Sequence, residues 1–341
     1  MSRPPDAGAS TPNPATARRD SEMTLHVALG IGAGIVAAML FAVGGRSPLG
    51  VMLMYLAPLP ILIVALGWHH LLGLLALSVG ALTLTFLYQS KAGMAFAVGP
   101  GLSAWLPAYL ALVERPVSAA NDNRSPDAPW LSPGNMMFCL ALIGAFSAFA
   151  ALAAMSGTEI ERYRTALEQA AGELLRGQAG RGAPPITPRQ LADLMLAIAP
   201  PALGAGLTVM ATANLWLGAK IVAASGRLRR PWPDVAMLRM PLAASLAFVA
   251  AALLMQSDGL LGFAAGALFG ALLIGFFFQG LAVAHAVTRG VGARFAILAV
   301  LYFFLIVGSY FVLPLLALVG LVDSLFPLRR DGAAPPPRQN I

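Results

Sequence analysis

The long uncharged stretches limit this chain more than any motif does. Residues 25–43 and 49–67 contain no Asp, Glu, Lys or Arg, and comparable apolar runs recur almost to the end. A helix needs about 20 such residues to cross a hydrocarbon core of about 30 Å. Inside that core every backbone amide and carbonyl needs an internal partner, which leaves helices and closed barrels as spanning structures. The runs are continuously apolar, without alternation of period two, and this excludes a barrel of the outer-membrane kind. Charged residues make up 11% of the chain, against about 25% in soluble domains. The expected fold is all-α, a polytopic membrane helix bundle of about eight to ten transmembrane helices with Pro-broken spans and no soluble domain.

Candidate spans are residues 25–43, 49–67, 71–88, 92–113, 135–155, 201–223, 240–256, 260–286 and 295–322. The first is too long for a signal-peptide core and lacks a cleavage site, so it is read as a helix that stays. The last has room for one helix plus a broken or re-entrant piece after Pro314. The chain divides into a Pro/Ala/Ser/Thr-rich tail expected to be disordered (1–23), N-terminal membrane helices (24–155), an amphipathic helix and linker (156–190), C-terminal membrane helices (191–324) and a second disordered tail (325–341). Residues 114–134 have the composition of a solvated loop. In 156–190, Thr158 and Glu161 form a capping box, and Ile160, Tyr163, Leu167, Ala170 and Leu174 share one helical face. Gly177 ends that helix, which is expected to lie at the membrane surface.

The net charge of +7 is not a nucleic-acid signal, because the arginines flank apolar runs, where they set orientation and meet lipid headgroups. Lys220, Arg227, Arg229, Arg230 and Arg239 place their loop in the cytoplasm of a bacterial inner-membrane protein. Counting crossings puts the N-terminus inside, the loop at Asp258 outside, and 156–190 outside in spite of its five arginines. The single cysteine, Cys139, forms no intrachain disulfide. No Walker motif, Ser/His/Asp set, HExxH or paired carboxylates occur at membrane depth. His69, His70 and His285 lie near span ends without metal-ligand spacing. No charged residue falls near the centre of a span, where ion-coupled pumps place one. The chain is expected to have no catalytic residues, cofactor or metal, and the bilayer is its first partner.

Small residues four apart let helices approach closely. Gly30, Ala33, Gly34, Ala37 and Ala38 make the first helix a candidate docking face for another membrane protein. Gly262, Gly266 and Gly270 read as packing within the chain. Asn214 and Gln279 are mid-span amides that need a partner on another helix or on a ligand. Pro58 and Pro60 break the second span, and Pro100 and Pro107 the fourth, each removing helical N–H donors. With Tyr55, Trp105 and Tyr109 nearby, these breaks are either packing kinks or, together with Asn214 and Gln279, the walls of a shallow solute pocket.

The segments NLWLGAKI (214–221), RRPWPDVAMLRMP (229–241), FFFQGLAVAH (276–285) and LVGLVDSLFPLRR (318–330) resemble the YybS-like bacterial membrane proteins of unknown function. The stretch APLPILIVALGWHHLLGLLALSVGA resembles the Pro/Gly-interrupted helices of the S components of energy-coupling-factor transporters. Those subunits dock a coupling partner through a small-xxx-small face on their first helix, a spacing that Ala33 and Ala37 match. S components have six helices and no insertion like 156–190. The resemblance implies a solute-binding or transport subunit energised by a separate partner; the alternative is a scaffold that organises envelope or division proteins.

Overall fold

The computed structural model describes residues 14–44, 47–114, 130–156, 160–178, 186–326 and 328–329, and among them it is helical with no strand. Helix α1 (Pro14–Ala42) begins inside the interval assigned to a tail, with Pro14 at its start. Proline is tolerated in a first turn, where its missing N–H has no helical partner to lose. The break in the second span is a restart by the same logic. Helix α2 (Pro48–Tyr55) is capped by the Ser47 side chain, which accepts from the Gly50 amide at 3.0 Å. Helix α3 (Pro58–Gly67) then starts with Pro58 at its first position.

Helix α4 (His70–Tyr88) runs into α5 (Ser90–Phe96), a π-helical turn (Ala97–Gly101) and α6 (Leu102–Leu112). The wider turn takes in Pro100, and two serines occupy carbonyls there: Ser147 donates to Val98 at 2.8 Å, and Ser103 to Gly99. Helix α7 (Pro133–Ser156) leads to the surface helix α8 (Ile160–Gln178). The Thr158 half of the expected capping box lies outside the described residues. The buried side of α8 carries Tyr163, Leu167, Ala171 and Leu175, whereas Ala170 and Leu174 are exposed. Tyr163 sets that rotation by packing edge-on against buried Phe263, ring centres 6.1 Å apart.

Helix α9 (Pro188–Ala224) starts well before the expected span, because Thr187 and Gln190 form a capping box and the chain stays helical through Pro200 and Pro201. Helices α10 (Leu242–Leu254) and α11 (Gly259–Val287) form a hairpin, followed by α12 (Arg294–Val307) and α13 (Ser309–Leu325). The interruption in the last run is at Gly308, and Pro314 lies inside α13.

Among the described residues, seven stretches are long and apolar enough to cross a membrane, and α10, α12 and α13 are shorter apolar helices. The two halves share one core: α3 and α7 pack on α9, and α7, α9, α10 and α13 pack on α11. The small-residue face of α1 is taken up inside this bundle. A Cβ on Gly34 would collide with the carbonyl oxygen of Ala76 on α4, and Ala37 and Ala38 are buried. The expected docking face is therefore a seam with α4, and exposed Ile31, Ile35, Val36 and Met39 form the outer side of α1.

Candidate functional site

The residues expected to wall a pocket do not converge on one cavity. Tyr55 is 44% exposed, Pro60 borders a shallow groove beside α1, and Pro58, Pro100 and Pro107 are packed into the core. Trp105 stacks on Tyr109 at 5.9 Å, and Tyr109 meets His70 edge-on at 5.0 Å, near the ends of α4 and α6. Asn214 donates to the Tyr55 carbonyl at 2.7 Å and to Met210 at 2.8 Å. Tyr55 is free to accept because the amide of Leu59, its helical donor, turns to Leu56 across the break. The break before Pro58 and Asn214 thus form one packing device, in which a carbonyl released at the end of α2 is satisfied from α9.

Gln279 belongs to a second device, centred on Asp323. This carboxylate is 0% exposed and lies in the last turn of α13, one residue beyond the expected span 295–322 and away from the centre of any span. It accepts from Gln279 Nε2 at 2.7 Å and from the Leu328 amide at 3.3 Å, and it pairs with Arg329. Arg239 is a further 3.7 Å neighbour. Gln279 Oε1 accepts from the Met240 amide at 2.9 Å, and Arg329 donates to the carbonyls of Ala236 and Leu238. Gln279 lies about two turns before the end of α11, so the chain after α9 folds back into the bundle before α10 begins. Irregular backbone at such depth is tolerated only when protein groups satisfy it. Asp323, Arg329 and Gln279 supply those groups.

At the end of the bundle where α8 lies there is a cavity of about 450 Å³ with a mixed polar and apolar wall. Arg164 of α8, Asp193 of α9 and Ser257 and Asp258 of the α10–α11 turn provide its polar groups. Its floor is the Pro200–Pro201 step of α9 against Gly262 and Gly266 of α11. Each proline removes the amide that would have reached the carbonyl four residues back. The carbonyls concerned belong to Leu196 and Ala197, both lining residues. The Arg164 Nε is buried without a hydrogen-bond partner, 3.7 Å from Asp193, and Asp258 precedes α11 without capping it. Among the described residues the cavity is therefore lined by one guanidinium and two carboxylates, with the two residues whose carbonyls lack a helical donor in its wall. Sequence reading placed a span boundary at Pro201 and so missed this site; the Thr187/Gln190 cap was the available sign that the helix runs on through both prolines.

The opposite end is basic. Arg227 stacks over Trp68 at 4.5 Å, and Lys220 over Trp232 at 4.1 Å. Asp234 accepts two hydrogen bonds from Arg289, at 2.8 and 2.9 Å. Those bonds, with the nearby guanidinium charge and the Ala236 amide, hold the Asp234 carboxyl below its ordinary range against a smaller opposing effect of burial. Burial lowers the pKa of Arg230, whose Nη2 donates to Leu131 at 2.6 Å.

Residues 35–324 match the family described as Predicted membrane protein (DUF2232). The chain belongs to this family of membrane proteins. No curated protein and no solved structure gives a significant match to it. Its several apolar helices place it in contact with the lipid bilayer as a multi-pass membrane protein.

Proposed function

We propose that this member of the family is a solute-binding subunit of a bacterial inner-membrane transport system, and that the cavity between α8, α9 and the α10–α11 turn is its binding site. The observation that carries this reading is the Pro200–Pro201 step, which removes the helical donors of the Leu196 and Ala197 carbonyls beside a cavity lined by those two residues and by Arg164, Asp193 and Asp258. Helix α9 stays continuous through both prolines, and carbonyls without helical donors beside a cavity parallel the backbone groups that transporters present to a solute at their interrupted helices. A guanidinium facing carboxylates and carbonyls suits a small zwitterion, whose carboxylate meets Arg164 and whose ammonium meets the oxygens. With the basic end in the cytoplasm, this cavity opens on the outside. The sequence carries no Walker nucleotide-binding motif, which fits a non-catalytic subunit energised by a separate protein. The resemblance of residues 57–81 to S components supports the same reading.

A scaffold role is the second reading. It is favoured by α12, which has no buried residue and leaves Phe295, Ile306 and Val307 at least 70% exposed. A thermal-stability screen of the purified protein against zwitterionic amino acids, simple carboxylates and simple amines separates the two. Stabilisation by a zwitterion, lost in Arg164→Gln, is the expected result. Failure of every zwitterion to stabilise the wild type, or unchanged binding in that variant, would remove the solute-binding reading.

A further inference from the structure

Two apolar clefts open at the basic end, about 30 Å along α9 from the cavity above. One, of about 170 Å³, lies between α7, α9 and the chain after α9, with Leu228, Arg230 and Trp232 at its edge. The other, of about 520 Å³, lies between α9 and α11, with His285, Arg289 and Arg294 at its edge. They flank one wall, since Met137, Thr212, Trp216, Val235 and Leu238 line both. The wall exists because Asp323, Arg329 and Gln279 hold the chain around 236–240 inside the bundle.

The charges around these clefts do not cancel. Among the described residues Asp234 is the one carboxylate lining them, and Arg289 holds it with two hydrogen bonds. Among the described residues, no carboxylate lies within 4.0 Å of Lys220, Arg230 or Arg294. Lys220 is held over the faces of Trp232 and Trp216, both of which are more than 40% exposed. Exposed tryptophans beside uncompensated cations mark the headgroup level of a membrane, and an anionic leaflet supplies the missing charge. The clefts below are almost entirely apolar, as acyl chains require.

We propose that this pair of clefts is a binding site for one anionic phospholipid of the cytoplasmic leaflet, with acyl chains on either side of the Val235–Leu238 wall and the headgroup on Lys220, Arg230 and Arg294. Zwitterionic phospholipid brings the same chains without net charge and is discriminated against at the headgroup. The site lies at the other end of the bundle from the solute cavity and does not depend on it.

Native mass spectrometry of the purified full chain, titrated with dioleoyl phosphatidylglycerol or dioleoyl phosphatidylcholine, tests this. The expected result is selective retention of one phosphatidylglycerol, with retention falling about fivefold for each of Lys220→Gln, Arg230→Gln and Arg294→Gln, the scale of one basic residue at an anionic surface. Equal retention of the two lipids would overturn the proposal, as would unchanged retention of phosphatidylglycerol in the triple variant. Displacement of phosphatidylglycerol by millimolar inorganic phosphate would also overturn it, by showing a free-anion site. If the triple variant fails to fold, the wild type in high salt serves instead: phosphatidylglycerol retention should fall toward that of phosphatidylcholine, and salt-independent selectivity would refute the headgroup assignment.

Discussion

Asn214 on α9 donates its side-chain amide to the carbonyl oxygen of Tyr55 at the end of α2, across 159 positions of sequence and a 2.7 Å gap. The bond answers a local vacancy, because the break before Pro58 takes away the donor that Tyr55 would have had in a continuous helix. Asn214→Leu should therefore lower the unfolding free energy by about 1 kcal/mol, the scale of an interhelical hydrogen bond in membranes. Asn214→Asp should be worse, since it replaces the donor with a buried acceptor. Thermal denaturation in detergent measures both, and an Asp variant as stable as wild type would refute the role.

A larger effect is expected at Asp323, which is fully buried and paired with Arg329. Asp323→Asn leaves a guanidinium buried without its counter-charge, at about 3–5 kcal/mol. Replacing both, as Asp323→Asn with Arg329→Met, should not restore stability, because the carbonyls of Ala236 and Leu238 then lose their donor. Full recovery in the double variant would mean that the pair matters only as charges. Limited proteolysis between 226 and 241 should report the release of this segment.

The Asp234–Arg289 contact should make that same segment acid-sensitive. The Asp234 carboxyl is held below its ordinary range, chiefly by the hydrogen bonds from Arg289. A group depressed in the folded state stabilises it above the unfolded value of roughly pH 4, and that contribution disappears as pH falls through the lower folded value. Hydrogen exchange of residues 234–238 should be flat from neutral pH down to about pH 4 after correction for intrinsic rates, and should rise below it. Asp234→Asn should remove the acid limb, and an unchanged limb would assign it to another group.

Glycines divide by what a methyl group would meet. At Gly280 a Cβ would strike the backbone of Leu316 on α13, which cannot rotate away, so Gly280→Ala should destabilise by about 1–3 kcal/mol. At Gly172 on α8 nothing lies within 4 Å, and Gly172→Ala should stabilise by about 0.5–1 kcal/mol. A Gly280→Ala variant that melts no lower than wild type would contradict the close α11–α13 contact, and a Gly172→Ala variant that melts lower would contradict the open space at α8.

Gln89, between α4 and α5, has φ 111° and ψ 160°. This region is nearly restricted to glycine and costs another residue about 1–3 kcal/mol. Gln89→Gly should raise the melting temperature, and a fall would show that the side chain itself holds the turn.

The class of this protein follows from the sequence alone, because the demand a bilayer makes is local. Each uncharged run must satisfy its own backbone, so its length and composition suffice to place a helix there without knowledge of its neighbours. The helical reading of residues 71–88 and 260–286, and the interior placement of Asn214 and Gln279, rest on that rule. Partners are another matter. The face of Gly30 and Gly34 looks the same whether α4 or another protein lies against it, and only the fold puts α4 there. Asp323 falls one residue beyond a run defined by hydropathy, and its burial depends on Gln279, 44 positions earlier, and on carbonyls at 236 and 238. The cavity at Pro200–Pro201 likewise needs α8 and the α10–α11 turn to close over it. A pairing between segments that lie far apart along the chain leaves no periodicity in either of them, so it becomes visible only when the helices are packed.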